Sequence, residues 1–195
     1  MSKYSVALFD VDGVLNRPKE FFSQRYAREH GIDPEKLETF FDDSFEQASL
    51  GKRDLLEVIV EQKALWQWDQ DPQLLLDDWF AAENASDHEL LAVVARAKAS
   101  GIEVYLATQQ EAHRAQFIRD VMYPGLFDGA FMTCELGVPK HDPAFYQAIL
   151  DQLDAAPESI IYFDDRQNLV DLSRTLGIDG YLYDDPLQVT DLLGI

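Results

Sequence analysis

In the segment ALFDVDGVLN, four apolar residues from Val6 to Phe9 run directly into two carboxylates, Asp10 and Asp12, followed by Gly13. A buried, unpaired carboxylate is costly, so acids ending such a run are either solvated in a turn or kept near a cation because their charge is used. Four further residues bear on the choice. Thr108 ends the run IEVYLAT, Asp164 and Asp165 end IIYFDD, and Lys140 lies in the loop GVPKHDPAFY. Clustered carboxylates repel one another, and a lysine together with a hard divalent cation relieves that repulsion. Magnesium fits best, since it takes oxygen ligands, keeps several waters and bridges one or two carboxylates to a phosphate oxygen. Alone, an Asp-x-Asp is common and Lys140 reads as a solvated loop residue; the force lies in the set.

For these side chains to meet, the elements that carry them must share an edge. In the C-terminal half, short apolar runs alternate with amphipathic stretches: IEVYLAT, EAHRAQFIRDVM, GAFMT, DPAFYQAILDQL, IIYFDD, NLVDLSRTLG and GYLY. That alternation predicts an α/β fold, a doubly wound, Rossmann-like parallel sheet with helices on its faces. In such a sheet the C-terminal strand ends lie along one edge, where ligands bind, so Asp10, Asp12, Thr108, Asp164 and Asp165 are expected to converge there. Ser86 with Glu89 reads as a capping box, Gly101 as a helix C-terminus, and Asp142 with Pro143 as an N-cap and first-turn proline. From Asn16 to about Ala85 the pattern changes to about four helical stretches without convincing strands. An all-helical cap over residues 17–85 is therefore expected above a core of residues 1–16 and 86–195.

Composition removes several functional classes. With 195 residues, 47% of them hydrophobic, the chain can bury a full core. A formal net charge of −20 argues against binding nucleic acid through its phosphates, and an anionic substrate would need a local cation to overcome that field. No stretch approaches the ~20 apolar residues of a membrane span, and no signal-peptide pattern precedes the first strand, so a cytoplasmic protein without membrane attachment is expected. The single cysteine, Cys134, precludes an internal disulfide and reads as structural, because the adjacent Glu135 would raise its thiol pKa.

The order DVDGVL, LATQQ, GVPKHDPAFY and FDDRQNLVDLSRTLG resembles the four motifs of the haloacid dehalogenase-like hydrolase superfamily, and the helical stretch after the first resembles its C1-type cap (subfamily I). The resemblance covers essentially the whole chain. It implies that Asp10 is the nucleophile forming an aspartyl-phosphate and that Asp12 is the general acid and base, its backbone carbonyl also ligating the metal. Thr108 would donate to a phosphoryl oxygen, and Lys140 would neutralise charge on the nucleophile and the transferring group. Asp165 would bind Mg²⁺ directly, Asp164 would hold a metal-bound water or act as a further ligand, and backbone amides near Val11 and Gln109 would complete the phosphate cradle. Because an alkoxide leaving group needs an acid and a halide does not, Asp12 favours phosphatase over dehalogenase. The implied activity is hydrolysis of a small phosphorylated metabolite, a sugar phosphate being the expected example. A phosphosugar mutase shares the same motifs. A phospho-acceptor signalling domain would need neither Asp12 nor a cap.

Two positions depart from the superfamily pattern: Gln109 stands where asparagine is frequent, and His141 where proline is usual. His141 reads as an exposed loop residue. Arg17, just past the catalytic loop, has two readings, a contact to an anionic or hydroxylated substrate and a solvated hinge. Trp66, Trp68 and Trp79 read either as the core of the cap or as a substrate wall. Nothing in the pattern selects an oligomeric state.

Overall fold

The computed structural model describes residues 2–195 apart from the side chains of Glu38 and Asp42; Met1 lies outside the described residues. Strand β1 (Val6–Phe9) is followed by helices α1 (Phe22–His30), α2 (Pro34–Thr39), α3 (Phe45–Ser49), α4 (Leu55–Glu61), α5 (Lys63–Trp66) and α6 (Pro72–Ala82). Then come α7 (His88–Ala99), β2 (Glu103–Thr108), α8 (Ala112–Phe117), β3 (Gly129–Met132), α9 (Thr133–Leu136), α10 (Pro143–Gln152), β4 (Ile160–Asp164), α11 (Gln167–Thr175), β5 (Asp179–Leu182) and α12 (Pro186–Leu193). No helix among the described residues is long and apolar enough to cross a membrane.

The five strands form one parallel sheet in the order β3-β2-β1-β4-β5. With both faces covered, β1 is apolar at every position and wholly buried, as a central parallel strand must be. Successive side chains alternate between faces. Ala7 and Phe9 pack with Leu90, Val93 and Val94 of α7 and Val189 of α12, whereas Val6 and Leu8 pack with Phe145, Tyr146 and Ile149 of α10. The strand order reverses between β1 and β4, where Phe9 pairs with Phe163. The residues just beyond, Asp10 on one strand and Asp164 with Asp165 on the other, therefore flank the crevice in which open α/β sheets bind ligands.

Helices α1 to α6 have an apolar cluster of their own, centred on Phe22, Tyr26, Phe40, Trp66, Leu76 and Trp79. They reach the sheet through close contacts. The Thr133 hydroxyl donates to the Ser49 carbonyl at 2.7 Å, His113 meets Asp54 at 3.2 Å, and Phe80 packs on Phe117. A Cβ on Gly51 would stand 2.1 Å from the Cys134 carbonyl oxygen, so the chains touch backbone to backbone there. Asn16 and Ser86 form an antiparallel bridge where the chain leaves and re-enters the sheet layer, and the Arg17 amide donates to the Ala85 carbonyl at 3.0 Å.

Aspartate caps six of the twelve helices among the described residues: Asp33, Asp54, Asp71, Asp87, Asp142 and Asp185 each accept from an amide of the first turn, satisfying donors that have no partner within the helix. Asp142 thus acts as expected, bonding Ala144 N at 2.9 Å. At α7 the cap is Asp87, which accepts from Glu89 N and Leu90 N at 3.0 Å, rather than Ser86, whose hydroxyl points to Tyr123 at 3.5 Å. Where about four helical stretches were expected, six short helices form: a π-helical segment, Phe40–Ser44, joins α2 to α3, and Gln62 parts α4 from α5.

Candidate active site

Asp10 is 4% exposed, and its Oδ1 accepts from Val11 N at 2.8 Å and meets Lys140 Nζ at the same distance. Lys140 is fully buried, and its ammonium lies 2.7 Å from Asp164 Oδ2 as well. One cation thus stands between two carboxylates from the strands on either side of the crevice. Asp164 is held further by the Tyr162 hydroxyl, which donates to Oδ2, and by Arg166 N, which donates to Oδ1 at 2.7 Å. The two acids respond differently. Burial drives Asp10 up to about 6, Asp164 adding to the rise and Lys140 opposing it. Burial also raises Asp164, but Lys140, Tyr162 and the Arg166 amide outweigh it and hold that carboxyl below its ordinary value.

Asp165 is exposed, and oxygen atoms of Asp10, Asp164 and Asp165 all lie within 4.8 Å of one another. Gly13 makes this approach possible. Its φ is +93°, and a Cβ there would lie 2.1 Å from Asp165 Oδ2. The donor set is all oxygen and anionic, which suits a hard cation such as Mg²⁺ rather than a metal that prefers nitrogen or sulfur.

The Asp12 side chain is outside this cluster. Its Oδ1 accepts from Asn16 Nδ2 at 2.7 Å, its Oδ2 accepts from Gln110 Nε2 at 2.8 Å, and Arg114 stands 3.8 Å away. Gln110 also donates to Thr108 Oγ1 at 3.2 Å, tying the ends of two strands together. Asn16 in turn accepts from Ala85 N at 2.8 Å, so the acid is anchored to the point where the helical segment returns.

Two cavities meet at Asp12 and Gln109. One, of about 290 Å³, is lined by Asp10, Asp12, Thr108, Gln109, Asp165 and Arg166. The other, of about 260 Å³, lies between the helical segment and the sheet. The structure therefore brings together Asp10, Asp12, Thr108, Gln109, Lys140, Asp164 and Asp165, while the Val11 amide is engaged by Asp10. It does not bring Arg17 to either cavity: that side chain is exposed and lies over the Tyr183 ring, 5.8 Å from its centroid. His141 is exposed as expected, and burial and Glu135 push Cys134 up to about 11, an inert thiol. Sequence reasoning passed over Gln110, Arg114 and Tyr162. Gln110 sits beside the noted Gln109, but nothing in one sequence tells which of two adjacent amides turns toward Asp12.

The chain belongs to the haloacid dehalogenase-like hydrolase family, whose model matches residues 4–172. Over 108 residues it is 30% identical to the sesquiterpene phosphatase astK of Aspergillus oryzae, a match covering 55% of this chain and about half, 52%, of that protein. Among solved structures, a family enzyme from Bacteroides thetaiotaomicron is similar with a TM-score of 0.78 at 17% identity, covering 93% of this chain and 94% of that one. The same enzyme has been solved with magnesium and inorganic phosphate. A predicted HAD-like family hydrolase from Porphyromonas gingivalis also matches with a TM-score of 0.78 at 17% identity, covering 94% and 92% of the two chains.

Proposed function

We propose that the protein is a Mg²⁺-dependent phosphatase that hydrolyses a small phosphomonoester through an aspartyl-phosphate on Asp10, with residues 17–85 acting as a helical cap over a core of residues 1–16 and 86–195. The observation that carries this reading is the placement of Asp10, Asp164 and Asp165 within 4.8 Å of one another at the crevice, with Lys140 against two of them. Family membership supports the hydrolase chemistry. The Aspergillus relative's name supports phosphate ester cleavage, and the magnesium and phosphate in the Bacteroides enzyme support the metal.

The steps follow from the geometry. Val11 N and Lys140 pin Asp10 Oδ1, so the carboxylate presents itself to phosphorus in one orientation. Attack forms the Asp10–phosphorus bond as the ester oxygen leaves, and Asp12 gives that oxygen a proton. Asp12, held by Asn16 and Gln110 at the boundary of the two cavities, stands where the phosphoryl group and the leaving alcohol divide. Now ionised, it takes a proton from water, which attacks the acyl-phosphate and frees inorganic phosphate while regenerating Asp10. The Thr108 hydroxyl and the backbone amide at Gln109 hold phosphoryl oxygens, and Lys140 offsets the negative charge they gather. Asp10, Asp164, Asp165 and the Asp12 carbonyl would hold Mg²⁺, which when bound neutralises charge on the phosphoryl oxygens.

The test is phosphate release from p-nitrophenyl phosphate with Mg²⁺ or with EDTA, by the wild type and Asp10→Asn. Release that needs Mg²⁺ and disappears in a folded Asp10→Asn variant is expected. Release undiminished by the substitution overturns the nucleophile assignment.

A further inference from the structure

The cavity beside Asp12 has an asymmetric lining. From the cap come Phe21, Phe41, Phe45, Leu55, Trp79 and Phe80, which form a nearly continuous apolar wall. From the sheet side come Asp12, Gln109, Gln110, Glu111 and Arg114, of which all but Gln109 are already engaged. Gln110 binds Asp12 and Thr108, Glu111 caps α8 through His113 N and Arg114 N, and Arg114 donates to the carbonyls of Phe80 and Glu83. Of the polar cap residues in the lining, Glu83 accepts from Phe22 N at 2.7 Å, leaving the Ser23 hydroxyl and one Glu83 oxygen.

Phe21 makes the point from the sequence side. It occupies the N-cap position of α1, a position that six other helices fill with aspartate, and it remains 45% exposed. The amide it leaves uncapped is taken by Glu83 from the far end of the cap. A position that favours a small polar residue thus holds an aromatic ring at a cavity mouth. The lining is also poor in free positive charge: Arg114 is its one cation among the described residues, against Asp12, Glu83 and Glu111.

We propose that the alcohol released from Asp12's side of the site is apolar: this cavity takes the hydrocarbon or aromatic part of a monophosphate ester. The inference rests on the phosphatase reading and narrows its substrate. A sugar would leave its hydroxyls facing aromatic rings and would find few groups to replace their hydrogen bonds with water. A second phosphate or a carboxylate on the leaving group would meet net negative charge. At about 260 Å³ the cavity falls just below the ~300–1,000 Å³ of pockets for drug-sized ligands, so the group is small, a fused pair of rings or a short branched chain.

The experiment compares kcat/KM for 1-naphthyl phosphate, geranyl monophosphate, geranyl diphosphate and glucose 6-phosphate on the Mg²⁺-loaded wild type and on Phe21→Ser. Serine suits the N-cap, so the variant keeps its fold. The two apolar monoesters are expected to exceed glucose 6-phosphate and the diphosphate by at least about tenfold, the discrimination that one methylene provides in an apolar pocket. Phe21→Ser should narrow that preference several-fold. Glucose 6-phosphate turned over as well as the apolar esters, or a preference unmoved by Phe21→Ser, overturns the inference and leaves the phosphatase reading intact. No release from any ester, p-nitrophenyl phosphate included, overturns both.

Discussion

Replacing Lys140 by methionine removes the ammonium that sits 2.8 Å from Asp10 and 2.7 Å from Asp164 while nearly keeping side-chain volume. At an effective dielectric of about 20, each contact is worth about 6 kcal/mol. Desolvation of the buried ammonium offsets several kcal/mol of that sum, but the substitution also leaves two buried carboxylates facing each other. Removing one partner of a buried ion pair costs about 3–5 kcal/mol, and this lysine partners two. For a chain of this size the loss corresponds to a Tm lower by about 6–20 °C. Mg²⁺ bound to the same carboxylates returns positive charge to them, so the penalty should shrink when the ion is present. The assay is urea and thermal unfolding followed by far-UV circular dichroism, in EDTA and in saturating Mg²⁺. The stabilisation by Mg²⁺ should be larger in Lys140→Met than in the wild type. A loss in EDTA below about 1 kcal/mol, the value of an exposed ion pair, would refute the view of Lys140 as the buried counter-charge.

Other consequences follow from single contacts. Because burial holds Asp10 near 6 in the folded protein, its contribution to metal-free stability is fully present below its ordinary value of 3.8 and is lost as pH rises through about 6; urea midpoints across that range in EDTA should show this component in the wild type and not in Asp10→Asn. Gly13→Ala forces a Cβ into the space of Asp165 Oδ2 and a side chain into positive φ, which costs about 1–2 kcal/mol of stability. Mg²⁺ titration of activity should show weaker metal binding in that variant at unchanged far-UV dichroism. Gln110→Leu takes one hydrogen bond each from Asp12 and Thr108, and at about 1.5–3 kcal/mol for a bond to a charged group should lower kcat on the order of tenfold or more in steady-state assays, with little change in Mg²⁺ dependence.

Most of the sheet could be read in the sequence, because strands buried on both faces appear as short apolar runs, and the runs of β1 and β4 pass directly into carboxylates. The strand order could not. It depends on which helices cover which face, and only that order reveals that Asp10 and Asp164 flank the reversal between β1 and β4. Neighbouring residues of similar chemistry were the other source of difference. Ser86 and Asp87 can both cap a helix, and the register of α7 selects Asp87. Gln109 and Gln110 are chemically the same, yet only the second bonds Asp12 and Thr108. Arg17 lies where the chain leaves the sheet layer, but its long side chain finds the Tyr183 ring instead of the cavity. Trp79 joins the two readings of the aromatics between β1 and β2, since its ring packs against Phe22 and Trp66 and also lines the space beside Asp12.

The central claim, that Asp10 carries the phosphoryl group, is tested most directly by acid-quenching the Mg²⁺-loaded enzyme during turnover of p-nitrophenyl phosphate and locating any phosphoryl group by mass spectrometry of its peptides. A phosphoryl group on Asp10, absent from Asp10→Asn and lost on standing in alkali as an acyl-phosphate should be, is the predicted result. Phosphate released with no labelled aspartate at any quench time, or a label on another residue, would contradict it.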